Sequence, residues 1–355
     1  MRAFGAALLG VLIAVAAAAF DAPSLYVPGI GLFLLGAGAG MWVAAASQGA
    51  GVHREPGPPV VEEDQPYPVR LWLPRGLVRP PGGELWEPLL GRTIRLRART
   101  RRRIRVDVRF ARRGRRHLAP ARLTIADPLG LARRELESDP ADVLVLPRVE
   151  PVPAAGAGTT DGLSGEAARM AVHAAELELD SLRPYRPGTP ASRIHWPTFA
   201  RHGEMMERRL IADVDLRPLV VVDPRRPSSE EALDRAVRAA ASLTVHLAKA
   251  GGCSLLLPGD RRSTDVEPDL RAWPPLHARL ALLEPEDGAP AVARVERAGA
   301  VFWVTAGGSN PPGLSRAAAA VRYLVTPSSP GDARVEFTVA GGSVQRVSRR
   351  SRSAA

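Results

Sequence analysis

The sequence predicts a three-part chain: a two-helix membrane hairpin, a small antiparallel β-sandwich, and an α/β domain built on a parallel sheet. Three observations carry this reading. Two charge-free apolar runs lie near the start, a strict alternation of Arg with aliphatic residues follows, and beyond residue 218 short apolar runs alternate with helical stretches. The boundaries read as 1–48 for the anchor, 49–68 for a linker, 69–152 for the sandwich, 153–342 for the α/β part with the motif preceding it, and 343–355 for a basic tail.

The anchor comes first. Residues 4–20 and 25–46 carry no charged side chain, and a helix needs about twenty apolar residues to cross a hydrocarbon core. Between them, Asp21 to Ser24 form a short turn, with Pro23 closing one helix and opening the next. Arg2 precedes the pair and Arg54 follows it, so the positive-inside rule keeps both ends of the hairpin, and the soluble body, in the cytoplasm at the inner (plasma) membrane. Gly36 and Gly40 form GxxxG, a small-residue surface for packing between the two helices. A secretory signal peptide ending in the small residues 17–22 is the competing reading; the second, longer apolar run directly behind it favours the hairpin.

The body that follows is punctuated by 33 Gly and 34 Pro, which cut a chain into short elements. Cys253 is the single cysteine, so no intrachain disulfide forms and a reducing compartment is the natural setting. Residues 49–68, rich in Gly, Pro and acids, read as a linker. After it, Ile94, Leu96, Ala98, Ile104, Val106, Val108 and Phe110 fall on even positions and Arg95, Arg97, Arg99, Arg101, Arg103, Arg105 and Arg109 on odd ones. Period two marks strands with one buried and one wet face; further strands are expected at 118–125 and 143–149. Residues 91–122 hold fourteen Arg against Asp107 alone. Such a face is either solvated or drawn to anionic lipid headgroups. Nucleic acid fits worst, because Phe110 is the one aromatic available for stacking in this stretch.

A third stretch mixes Arg, aromatic and turn residues. Arg183, Tyr185, Pro187, Gly188, Arg193, Ile194, His195, Trp196, Ala200, Arg201, Met206 and Glu207 match an R-x-Y-x-P-G-D segment followed by R-x-I-H-W and a short A-R stretch ending in Met and Glu. Upstream, Asp127, Pro128, Gly130 and Leu131 match a D-P-x-G-L turn, and Pro147, Arg148 and Val149 a V-x-P-R-V strand. In these motifs and in its anchor layout the chain resembles the bacterial membrane-associated family catalogued as domain of unknown function 58. Thr189 stands where the family has an acid, and Pro197 where it commonly has Lys. Read from the residues themselves, 184–190 is a turn fixed by its prolines. His195, with no Cys or second His at ligand spacing, is a hydrogen-bonded structural histidine, and Trp196 a packing residue. Arg183, Arg193 and Arg201 either clamp an anion bidentately or pair with Glu178, Asp180 and Glu207. The stretch is expected to be covered by protein at a domain junction, because Tyr185, Ile194, Trp196 and Phe199 bring much apolar area.

The last part reads as α/β. Residues 219–222 form a continuous apolar strand; Ser228 and Glu231 make a capping box opening a helix that runs to about 250 and stops at Gly251 and Gly252. Residues 254–257, 301–305 and 322–325 are further buried strands, and ligands of such sheets bind at the carboxyl ends of the strands. The resemblance implies a von Willebrand factor A-like domain, whose first strand commonly ends in D-x-S-x-S to hold a divalent cation. Here the segment is Asp223, Pro224, Arg225, Arg226, Pro227. A hard cation needs oxygen ligands; both hydroxyls are missing and two arginines take their place, so Asp223 marks a degenerate site at which no metal is expected.

The sequence contains no GxxxxGK[ST], HExxH, GxSxG or CxxC, and 156–165 does not match the dinucleotide fingerprint. His246 or His277 as a base for Cys253 is the one arrangement to weigh, and a buried inert thiol is its simpler reading. Neither catalysis nor a cofactor is therefore expected. The expected function is a membrane-tethered, non-enzymatic scaffold or adaptor. The resemblance implies a MoxR-type AAA+ ATPase as partner, with a transglutaminase-like membrane protein beside it. The alternative is a membrane-proximal binder of an anionic ligand or of lipid headgroups.

Overall fold

The structure is a computed structural model, and it describes the chain except residues 1, 56, 75, 81, 97–102, 153–180, 186–193, 210–216, 287, 289, 292–297, 308–310, 318, 328–334 and 348–355. Two compact units emerge, one comprising residues 1–111 and 115–145, the other 112–114 and 146–355.

The first unit opens with α1 (Arg2–Ala19) and α2 (Tyr26–Ser47), both long and apolar enough to cross a membrane. They run antiparallel, and small residues set their approach. A Cβ on Gly10 would lie 2.5 Å from the Phe33 nitrogen, and one on Gly36 would lie 2.6 Å from the Ala3 oxygen. Glycine is what allows backbones so close. Of the expected GxxxG pair only Gly36 serves this contact; nothing lies within 4 Å of a Cβ on Gly40. The seam instead repeats at Gly29 and Gly36, seven residues or two helical turns apart.

Beyond α2 come β1 (His53–Glu55), β2 (Val60–Glu62), β3 (Pro66–Trp72), β4 (Gly83–Glu87), β5 (Arg92–Leu96), β6 (Arg103–Arg109), β7 (Gly114–Leu118), β8 (Arg122–Ala126), β9 (Arg133–Glu137) and β10 (Ala141–Leu146). They form three small sheets, ordered β1-β3-β6, β2-β10-β7 and β5-β4-β8-β9. Tyr67, Val69, Leu71, Leu85, Leu123, Ile125, Val143 and Val145 build their common core. The Arg/aliphatic alternation holds along β6: Arg103, Arg105 and Arg109 are exposed while Ile104, Val106 and Val108 turn inward.

The linker expected at 49–68 is a correction. β1 pairs with β3, Leu71 opposite Arg54, and the Arg54 guanidinium forms a buried ion pair with Glu87 at 2.7 Å. Backbone pairing tolerates any side-chain pattern, so strands of three residues leave no periodicity to read. The strand expected over 118–125 divides into β7 and β8 around 119–121, and the one expected at 143–149 lies at 141–146.

In the second unit, a ribbon of β11 (Ser181–Pro184) and β12 (Met206–Arg209) flanks α3 (Trp196–His202). Then follow β13 (Leu219–Asp223), α4 (Glu230–Gly251), β14 (Cys253–Leu256), β15 (Thr264–Val266), α5 (Trp273–Ala281), β16 (Ala298–Thr305), α6 (Pro312–Arg316), β17 (Ala319–Thr326), β18 (Phe337–Val339) and β19 (Gly342–Arg346). Among the described residues the sheet order is β15-β14-β13-β16-β17-β19-β18. β14, β13, β16 and β17 are mutually parallel and the outer strands antiparallel. Val220, Val222, Phe302 and Val304 face α4 on one side; Leu219, Val221 and Trp303 pack with Leu314 of α6 on the other. A strand buried on both faces must be apolar at every position, which is why β13 reads LVVV before its acid.

Two boundaries differ from expectation. Ser229, not Ser228, caps α4, its Oγ accepting the Ala232 N–H at 3.1 Å. The basic tail does not begin at 343: Ser343 to Arg346 lie in β19 (Gly342–Arg346), and of the segment expected as a tail the residues 348–355 lie outside the described ones.

Candidate functional site

The four parallel strands deliver their carboxyl ends to one edge of the sheet, the place where a doubly covered sheet opens to ligands. β13 ends there in Asp223, which is 2% exposed. Its Oδ1 accepts Arg225 Nε at 2.8 Å and its Oδ2 accepts Arg225 Nη2 at 2.7 Å, a bidentate fork. The Trp303 indole N–H on neighbouring β16 donates to Oδ2 at 3.1 Å, and the Arg225 backbone N–H adds to Oδ1 at 3.3 Å. Hydrogen bonding to Asp223 holds the Arg225 guanidinium above its ordinary pKa. Thr305, at the end of β16, uses its Oγ1 to accept the Gly307 N–H at 3.1 Å.

This donor set does not fit a divalent cation. Both carboxylate oxygens already face N–H donors, and an incoming cation would meet a fixed positive charge. No group of three His, Cys, Asp or Glu that could hold a metal occurs among the described residues. The turn that follows holds Arg226 at φ 49°, a left-handed conformation uncommon for a non-glycine residue. Arg226 is exposed, and so are Arg261 and Arg262 in the loop after β14, whose carboxyl end lies beside that of β13. The acid of that loop, Asp260, is taken by Arg279 at 2.7 Å. The loops at this edge thus carry exposed arginines, while the buried acid at the end of β13 is paired with Arg225.

The motif over 183–207 folds as a ribbon and a short helix. Arg183 stands opposite Glu207 in the β11–β12 register, while their side chains, with the whole of Gly188 and Arg193, lie outside the described residues. The Tyr185 N–H donates to the Met205 carbonyl at 2.9 Å and the His195 N–H to that of Met206 at 2.8 Å. His195 caps α3: its Nδ1 accepts the Thr198 backbone N–H at 3.3 Å and lies 2.7 Å from the Thr198 hydroxyl. That fixes the tautomer, because a ring nitrogen accepting a backbone N–H carries its proton on the other nitrogen. Arg201 sits exposed in the last turn, where a cation suits the helix dipole. Ile194 is buried, but Trp196 is not: it is 53% exposed and packs edge-on against Phe199. Among the described residues Trp196 is not covered as expected, and Phe199 beside it is exposed as well.

Cys253 is fully buried at the start of β14, its thiol pushed up to about 12 by burial, with the S–H donated to the Thr244 carbonyl at 3.3 Å. His277 Nε2 lies 2.8 Å from the Pro147 carbonyl, and its ring stacks on Trp273. Neither His246 nor His277 is bonded to the thiol. The fork at Asp223 escaped the sequence reading; an Arg two residues after a strand-terminal acid was its available signal. No protein-family model, curated protein or solved structure matches the chain.

Proposed function

We infer that the chain is a membrane-tethered, non-enzymatic scaffold whose α/β unit docks a protein partner through the carboxyl edge of its sheet. The observation that carries this is the Asp223–Arg225 fork, which occupies both oxygens of a buried acid at that edge with N–H donors, while Arg226, Arg261 and Arg262 in the neighbouring loops are exposed. Placement of β13, the first strand of the seven-stranded sheet, between β14 and β16 inside the parallel set supports a von Willebrand factor A-like fold. With the motifs at 127–131, 147–149 and 183–207 it supports kinship with the domain of unknown function 58 family, and hence a MoxR-type AAA+ ATPase as partner with a transglutaminase-like membrane protein nearby. The two apolar helices support an inner-membrane hairpin with the body on the cytoplasmic side.

Affinity capture of tagged full-length chain from native membranes tests this reading. The wild type is expected to retain an AAA+ ATPase, and the variant carrying Arg226→Glu, Arg261→Glu and Arg262→Glu to lose it. Equal recovery by both refutes the docking edge. The same arginines favour a second reading, direct binding of an anionic ligand. Salt separates the two: a purely electrostatic ligand is released steeply as ionic strength rises, an interface with an apolar component is not.

A further inference from the structure

In the first unit, the base of the helix pair is joined to two loops of the β structure. Ala3 N–H, one of the donors that a helix start leaves without an intrahelical partner, donates to the Leu131 carbonyl at 2.9 Å. At the other helix, the Leu77 N–H donates to the Gln48 carbonyl at 2.9 Å, and the Trp42 indole N–H to the Arg79 carbonyl at 3.1 Å. The second loop is pressed against the helix end: a Cβ on Gly76 would lie 1.9 Å from the Ala46 oxygen, so the contact requires glycine.

Both loops turn large apolar side chains outward. Leu77 is 75% exposed, Val78 40%, Leu129 64% and Trp42 47%. The loop at 127–131 cannot fold Leu129 inward, because its backbone is fixed from within. Asp127, buried, accepts the Leu129 N–H at 2.9 Å through Oδ2 and the Ala132 N–H through Oδ1. The Gly130 N–H closes onto the Asp127 carbonyl at 3.1 Å with φ 68°. The Asp-Pro-Leu-Gly-Leu segment is therefore a rigid turn with two outputs: the Leu131 carbonyl that caps α1, and the Leu129 side chain that points away from the core.

Eighteen helical residues at 1.5 Å each reach about 27 Å, close to the thickness of a hydrocarbon core. With the hairpin in a bilayer, Ala3 and Gln48 stand at one interface, and loops hydrogen-bonded to them stand at headgroup depth. We propose that the loops at 76–79 and 127–131 form an apolar collar around the hairpin base, inserting Leu77, Val78 and Leu129 into the lipid interface of the same leaflet. Trp42 belongs at that depth as an interfacial aromatic. The exposed Arg79 and Arg134 lie within a few residues of the inserted side chains, where guanidinium groups meet lipid phosphates. The occupant is the bilayer itself, continuous with the surface around α1 and α2, and the inference rests on the hairpin reading.

Depth-resolved quenching in the full-length chain tests it. Single cysteines at Leu77→Cys, Leu129→Cys, Leu12→Cys and Gln65→Cys carry an environment-sensitive dye, Cys253 being buried and left in place. Gln65 lies at the far end of β3 from the collar, about 23 Å away at 3.3 Å per residue. The proteins are placed in phosphatidylcholine–phosphatidylglycerol nanodiscs holding nitroxide lipids labelled shallow or deep on the acyl chain. Dyes at 77 and 129 are expected to be quenched at least twofold by the shallow nitroxide and less by the deep one, the dye at 12 chiefly by the deep one, and the dye at 65 by neither. Quenching at 12 with positions 77 and 129 behaving like 65 overturns the collar and leaves the hairpin standing. No quenching at 12 overturns the hairpin, and the collar with it.

Discussion

Asp223 and Arg225 are separated by one proline, and the side chain of the second returns to the carboxylate of the first. Removing one partner of a buried pair leaves a charge without its counterion, at about 3–5 kcal/mol. Arg225 is a quarter exposed and the Trp303 N–H remains, so Arg225→Ala is expected at the low end, about 3 kcal/mol. Adding Asp223→Asn removes the orphaned charge and should recover most of that loss. Urea unfolding followed by far-ultraviolet circular dichroism measures both; equal losses for the single and the double variant contradict the fork as the source of stability. The sequence showed the strand-terminal acid and the missing hydroxyls, since both are identities at fixed positions. It did not show the fork, because a rotamer leaves no trace in a pattern. Trp196 shows a second limit: apolar content predicted burial, but whether a ring finds cover depends on what packs against it. At 53% exposure, Trp196→Ala should cost about 1 kcal/mol rather than the larger loss of a core tryptophan. A shift in melting temperature of more than about 8 °C, more than a change of that size gives, would show a buried role. Loss of partner capture at unchanged melting marks the ring as a contact residue.

Among the elements, α4 was the most legible, because serines at its start, one residue from the cap that forms, and two stopping glycines bracket one segment. The short strands β1, β2, β15 and β18 were the least, since three residues cannot display a period and their pairing is decided by neighbours distant in sequence. α4 also carries a pH dependence. His246 is partly buried on it, and burial lowers its pKa from the ordinary 6.5, so folding favours the neutral ring. The unfolded chain takes up this proton first as pH falls through 6.5, and the folded state only at lower pH. The contribution of His246 is therefore whole above pH 6.5, falls as pH drops below it, and levels off once the folded ring also protonates. Unfolding free energies at pH 7.5, 6.5 and 5.5 should decline for the wild type, and His246→Gln should flatten that decline. An unchanged slope in the variant assigns the acid sensitivity to other groups.

At the scale of the whole molecule, the anchor decides where everything else resides. A cleaved leader would remove α1 and strip α2 of the neighbour that meets Gly29 and Gly36 at backbone distance. A seam of that closeness along α1 and α2 favours retention of both helices. On the proposed topology two retained antiparallel spans return the chain to the side on which it began, and the positive-inside rule applied to Arg2 ahead of α1 and the arginine-rich body behind α2 makes the cytoplasm the side to test. A fluorescent reporter that folds only in the cytoplasm, fused after Ala355, should glow, and an alkaline phosphatase fused at the same place should stay inactive. The protein should resist extraction by alkaline carbonate, and its mature form should keep residues before Ala22. Phosphatase activity with an N-terminus near Ala22 would mean that α1 is a leader, the body lies outside the cell, and an AAA+ partner on the cytoplasmic side is ruled out.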